Sequence, residues 1–280
     1  MRSGWVLLCC AGHTLAGLLT FDPNASIGQI ELQTTLQDVR FEARSAWTPD
    51  RFLFRPTAGA AYHPWVTPTG FMGTVISCGN GTYCPGNGTH WNGTGHGGEA
   101  VFSVAASADS GAARTIFPGG ASFELNGTAF SVVKESQLGP IRSRQNVTVT
   151  ADEVMQRSDY EVVANASAVA FMYAFMTMFS VNFTAWCAGP SLDGPPAFTG
   201  TFLHDTSFTL HADIRWALLY DPSTLTGSLY EFPETYASLH SKGNFWWNRE
   251  HDNKLYFQVQ VPPQPGSRFG FALRQRAYAA

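Results

Sequence analysis

The chain has 280 residues, 17 Lys and Arg against 21 Asp and Glu, and a net charge of −4. Only 14% of it is charged, where an ordinary soluble domain has about 25%. With no basic cluster, this balance excludes nucleic acid and an anionic membrane surface as partners. The length gives room for one large β domain or two small ones.

A chain so poor in charge, with 14% aromatic residues, needs another source of affinity for water. The asparagines supply one. Of eleven Asn, eight open an Asn-x-Ser/Thr triplet: Asn24, Asn80, Asn87, Asn92, Asn126, Asn146, Asn165 and Asn182. The composition would give about two such triplets by chance. Their number predicts an N-glycosylated protein.

At the N-terminus, Arg2 precedes the low-charge stretch Trp5–Leu19, with small residues Ala16 and Gly17 near a plausible cut. Residues 1–19 read as a signal peptide, which places the rest, 20–280, in the secretory pathway as one domain. Removing the signal leaves Cys78, Cys84 and Cys187. In an oxidising compartment Cys78 and Cys84 would close a small loop by a disulfide, leaving Cys187 unpaired and buried.

Further along, His63-Pro64-Trp65 is a His and a Trp held by prolines in a loop, suited to lining a pocket or to packing rigidly. Residues 78–98 form a Gly/Asn/Thr-rich excursion with three sequons, expected at the surface under glycans and stapled by Cys78–Cys84. The segment around Asn126-Gly127 reads as a β-hairpin with an Asn-Gly turn. Asn146–Thr150 is β-like, and Asp152–Arg157 suits one turn of helix.

No charge occurs between Glu161 and Asp193, but the apolar core at 169–183 is shorter than the ~20 residues of a spanning helix. Sequons at both ends also argue against a span, so Val169–Val181 is expected to be a central strand buried on both faces. After a long loop at 189–200, apolar residues alternate from Phe208 to Leu218, with His211, Asp213 and Arg215 on the polar face. Residues 224–236 read as loop, and Leu255 to Val261 alternate again. Many short strands between turn signals predict an all-β chain. The expected architecture is a large two-sheet antiparallel β-sandwich, jelly-roll or supersandwich-like, with long loops.

Nucleophile-elbow, zinc-protease, phosphate-loop and Cys-x-x-Cys motifs are absent from the sequence, and no cofactor or metal is expected. Two runs carry candidate chemistry. His211 beside Asp213 and Arg215 could act as a general base with a carboxylate-neutralising cation, with Tyr256 as a second candidate base. In Phe245–Lys254, paired tryptophans precede Asn248, Arg249 and His251; Trp247 could stack on a sugar ring while the amide and charged groups bind hydroxyls. Every sequon lies at or before Asn182, so this glycan-free aromatic run is the expected interaction face. The leading expectation is a secreted, carbohydrate-recognising protein that binds glycans or polysaccharide. A lyase-like polysaccharide enzyme using His211, Arg215 and Tyr256 is the second, and a structural surface protein the third.

Overall fold

A computed structural model describes residues 17–25, 28–64, 73–79, 82–84, 88–93, 96–180, 182–201, 207–210, 214–232, 244–249 and 252–279. The chain opens with β1 (Gly17–Asp22), β2 (Gln29–Gln33), β3 (Gln37–Glu42), β4 (Pro49–Phe54) and β5 (His63–Pro64). A single 3-10 turn, Ala43–Ser45, separates β3 from β4. β6 (Gly73–Ser77) and β7 (Trp91–Gly93) follow, then β8 (Glu99–Ala108), β9 (Arg114–Phe117) and β10 (Phe123–Gly127). Long strands β11 (Phe130–Leu138), β12 (Ile141–Val149) and β13 (Glu153–Val162) form a meander. The remainder comprises β14 (Phe171–Met178), β15 (Ala185–Gly189), β16 (Phe198–Thr201), β17 (Ser207–Leu210), β18 (Trp216–Asp221), β19 (Thr226–Glu231), β20 (Asn244–Arg249), β21 (Asp252–Val259) and β22 (Arg268–Ala279).

Three antiparallel sheets result. Sheet I runs β10-β1-β2-β3-β4-β5, sheet II runs β16-β15-β18-β19-β22-β13-β12-β11-β8-β9, and sheet III runs β17-β20-β21-β14-β6-β7. The protein is therefore an antiparallel β-sandwich in which one layer is the ten-stranded sheet II and the other is divided between two six-stranded sheets. Buried residues from Leu19 in sheet I to Leu273 in sheet II form one apolar cluster that also includes Phe175 and Phe257 of sheet III.

Sheets II and III meet on a phenylalanine cluster. Phe257 lies 5.6 Å from Phe175 and 5.7 Å from Phe271, ring centre to ring centre, and 5.0 Å from Phe232. Beside it the Thr74 and Tyr160 hydroxyls meet at 3.0 Å, and both reach the Ala174 carbonyl, so polar groups taken out of water keep partners. Burial pushes the Tyr160 phenol up to about 12, which leaves it a neutral donor. Sheets I and II meet where Gly17 of β1 packs on Phe130 of β11. A Cβ at Gly17 would fall 2.8 Å from that ring and 2.7 Å from the Gln33 carbonyl.

Several local expectations are corrected. The Asn126-Gly127 segment is not a hairpin: β10 pairs with β1 in sheet I, while β11 pairs with β8 and β12 in sheet II. The turn is a crossover, fixed because one Asp109 carboxylate oxygen accepts from the Thr128 and Ala129 amides and the Thr128 hydroxyl. Glu153–Val162 is strand β13 rather than helix, and Thr226–Glu231 is strand β19 rather than loop. The alternation from Phe208 to Leu218 is not one strand. β17 lies in sheet III and β18 in sheet II, so the period-2 pattern joins the ends of two strands in different layers.

β14 lies between β21 and β6 and is buried on both faces, as its composition requires. Cys78 and Cys84 are disulfide-bonded and Cys187 is free and buried. No helix among the described residues is long and apolar enough to cross a membrane.

Gly17–Leu19, at the end of the expected signal peptide, belong to β1, and Leu19 is wholly buried in the shared core.

Because Phe257 holds rings from both layers, Phe257→Ala is expected to cost roughly 3–5 kcal/mol. Denaturant unfolding measures it, and a loss near zero would mean that the two layers do not share this contact.

Candidate functional site

Two places combine aromatic surface with polar groups. The first is the outer face of sheet III. Along β14, Phe171 and Tyr173 are two residues apart and so share a face, opposite the Met172 side that enters the main core. Val75 of β6, Tyr173 and Met176 of β14 and Tyr256 of β21 form a separate cluster there, with Trp91 of β7 and Phe171 packed against it. Tyr173 lies 4.6 Å from Tyr256 and 6.0 Å from Trp91, whose ring is nearly parallel to it. Trp91 also stacks on His96 at 5.7 Å. The row becomes more accessible toward β7: Tyr256 and Tyr173 are buried, Trp91 and Phe171 half-buried, and His96 exposed. Burial pushes the Tyr173 phenol up to about 12.

The second place is a cleft of about 510 Å³ where the three sheets converge. The turn from Ala43 to Trp47 forms one wall, Gly93 and Gly97 another, and Glu99, Val101 and Phe117 of sheet II the third. Glu99 and Lys134, paired at 2.7 Å, are both at most 5% exposed at the side chain. Lys134 Nζ also donates to the Ala46 carbonyl at 2.9 Å, which ties sheet II to the turn in sheet I. The Ser136 hydroxyl donates to the same Glu99 oxygen, Oε1, at 2.7 Å. The other oxygen, Oε2, is buried and accepts no hydrogen bond among the described residues. Such a pair is costly to desolvate and still more costly to break, since the surviving charge would be stranded.

Charges also surround the turn. Arg40 bonds Asp50 and Glu42, and Arg44 pairs with Glu42 at the cleft's edge. Burial pushes the Asp50 carboxyl up to about 6, against the opposing pull of Arg40.

The sequence-derived site residues are spread over these sheets. Tyr256 enters the aromatic row. Trp247, Asn248 and Arg249 lie on β20, the neighbour of β21, with Trp247 opposite Lys254 and Asn248 opposite Asn253. Arg215 precedes β18 in sheet II, its amide donating to the Gly189 carbonyl, so it and Tyr256 belong to different layers. His63 is on edge strand β5 of sheet I, its ring 5.7 Å from Phe54. His211, His251 and Trp65 lie outside the described residues, as do the sequons Asn80 and Asn87. Asn24, Asn126, Asn165 and Asn182 are exposed, and Asn146 is half-buried.

Asn92 is an exception to the expected glycan shield. It is fully buried in β7, and its amide lies within 2.8 Å of where a Cβ on Gly98 would stand.

The sequence reading missed Trp91, Phe171, Tyr173, Glu99 and Lys134. Phe171 and Tyr173 carried a faint signal as an aromatic i, i+2 pair. Glu99 and Lys134, 35 residues apart in the numbering, carried none. Among the described residues, no group of three or more His, Cys, Asp and Glu is placed to hold a metal ion.

The three sheets define a large antiparallel β-sandwich. No protein family matches the sequence, and no curated protein does. Solved structures of similar shape exist at very low identity. The galactosidase domain of an alpha-galactosidase-sucrose kinase superimposes with a TM-score of 0.52 at 7% identity, over 92% of this chain and 42% of that one. A TPR-domain containing protein from Parabacteroides distasonis gives 0.50 at 10% identity, over 90% and 47%. A galactose mutarotase-like protein from Lactobacillus casei gives 0.49 at 10%, over 89% of this chain and all of that one. The chain thus spans less than half the length of the first two. Carbohydrate-related proteins stand among its structural neighbours, and the likeness is one of fold.

The raised carboxyl at Asp50 sets a pH dependence. Its folded-state value, about 6, lies above the ordinary 3.8, so its contribution to stability is complete at low pH and is lost as pH rises through 6. The stability of wild type relative to Asp50→Asn should therefore fall between pH 4 and pH 7. Urea midpoints at both values measure this, and a difference that grows with pH would contradict the burial of this carboxylate.

Proposed function

We propose that the protein recognises carbohydrate on the outer face of sheet III. The observation that supports this most is the continuous row of Trp91, Tyr173 and Tyr256 across three strands, open at its Trp91 end. Trp91 and Phe171, the half-buried end of the row, would offer the apolar C–H face of a pyranose an aromatic surface held in place by the buried Tyr173 and Tyr256 behind them. Strand β20, which carries Trp247, Asn248 and Arg249, extends the same sheet beyond Tyr256. The fold shared with a galactosidase domain agrees with this reading.

The reading includes secretion and N-glycosylation. The Cys78–Cys84 disulfide and the exposed Asn24, Asn126, Asn165 and Asn182 support it. Signal cleavage would fall near the small residues Ala16 and Gly17.

Binding to an array of immobilised oligosaccharides tests the recognition. Wild type is expected to retain at least one glycan, and Trp91→Ala to weaken that interaction by about tenfold or more, consistent with ~1–3 kcal/mol for a ring stacked on a ligand. Equal retention by both proteins, or no retention by wild type, would overturn it.

Mass mapping of protein secreted from eukaryotic cells tests the rest. Expected are a mature N-terminus near Gly17, glycans among Asn24, Asn126, Asn165 and Asn182, and an unmodified Asn92. A retained N-terminus with every asparagine bare would refute this part.

A further inference from the structure

We propose that His96 is a latch on the aromatic row: its imidazole covers the side of Trp91 that a sugar ring needs, and a carbohydrate binds by displacing it. The inference rests on the carbohydrate reading of sheet III and adds how that site is kept closed.

Topology puts a ring on each side of the indole. Strand β7 is the edge of sheet III, and its Trp91 pairs with Ser77 of β6. Tyr173, on β14 beyond β6, reaches Trp91 from the sheet's interior, at 6.0 Å with the ring planes 14° apart. The turn after β7 folds back along its other edge, where Gly93 and Gly97 form an antiparallel bridge. There the Gly93 amide donates to the Gly97 carbonyl and the His96 amide to the Gly93 carbonyl, both at 2.9 Å. This turn lays the imidazole on Trp91 from the free edge, at 5.7 Å with the planes 24° apart.

A pyranose stacks on the flat face of an aromatic ring, so one of these two neighbours has to give way. Tyr173 is fixed. It is buried in the cluster of Val75, Met176 and Tyr256, with the Tyr256 ring 4.6 Å away, and moving it would open packed apolar surface. His96 is exposed, and its displacement uncovers no core. The backbone beside it suits such a swing: Gly97 has φ +77°, and a Cβ there would meet nothing within 4 Å.

A closed latch lowers affinity without touching the ligand. The apparent dissociation constant is the intrinsic one divided by the fraction of molecules with the ring uncovered. A stacked ring pair shifts that equilibrium about two- to tenfold. The sign separates this role from a binding one. A histidine that held the sugar would weaken binding when removed, whereas a latch strengthens it.

Wild type, His96→Ala and Trp91→Ala are compared on the oligosaccharide array. His96→Ala should retain the same glycans as wild type with a dissociation constant about two- to tenfold lower, while Trp91→Ala loses them. Equal or weaker retention by His96→Ala overturns the latch and leaves recognition by the row standing; loss in wild type itself removes both. Proton NMR gives a readout that retention does not. The His96 ring signals, identified by their absence from His96→Gln, should lie upfield in wild type under the indole ring current. They should move downfield in Trp91→Ala, and likewise in wild type saturated with the best-retained oligosaccharide. Signals that stay in place at saturation would also overturn the latch.

Discussion

Sheet II must keep one face dry across ten strands, and neither six-stranded sheet is wide enough to cover it alone. Covering it takes both, and they leave a seam. The phenylalanine cluster of Phe175, Phe257 and Phe271 closes the sheet II–III half, and Gly17 against Phe130 closes the sheet I–II half. Both contacts depend on close approach. At Gly17 any side chain would collide with Phe130, and at Phe257 three rings from two layers converge on one side chain. The cleft lies where this arrangement leaves space, beside the turn from Ala43 to Trp47.

The inner face of sheet II is not uniformly apolar. Lys134, Gln145, Ser136 and Ser143 on β11 and β12, and Gln156 and Ser158 on β13, are all buried. Gln156 donates to Ser158, and Gln275 of β22 to Ser228 of β19, so part of this polarity is satisfied within the sheet. An ammonium here cannot be solvated by water. Lys134 is held instead by Glu99 from the neighbouring strand and by the Ala46 carbonyl from sheet I. A hydrophobic pair of equal volume would be as stable or more so. What the ion pair adds is direction: it fixes the turn from Ala43 to Trp47 over β8 and so defines the cleft wall.

How far the sequence revealed this follows from where hydrophobicity was informative. β14 and β21 were legible because their alternate or continuous apolar residues face a core, and the disulfide and the all-β class were legible from spacing and punctuation. β13 was not, since its inward positions include Gln156 and Ser158 and the alternation disappears. Asn126-Gly127 gave a true turn signal but no information about which sheet the next strand joins. The same blindness merged β17 with β18: period 2 reports local pleat, not partner. Site residues brought together from β6, β7, β14 and β21 leave no shared local pattern: Tyr256 and the aromatic run on β20 were visible singly, and the Phe171–Tyr173 pair only faintly.

Strand β7 links these themes. Its Trp91 opens the aromatic row, and its Gly93 lines the cleft. At Gly93 the backbone has φ +129°, and a Cβ would stand 2.3 Å from the Thr74 carbonyl, so only glycine lets β7 lie this close to β6. Its pairing with β6 spans only Trp91, Asn92 and Gly93, too short to be secure without support. The support comes from just upstream. The Cys78 amide donates to His90, the Cys84 amide donates to Thr89, and the disulfide joins the two cysteines. The staple in the sequon-rich loop thus anchors the short strand that borders both candidate surfaces.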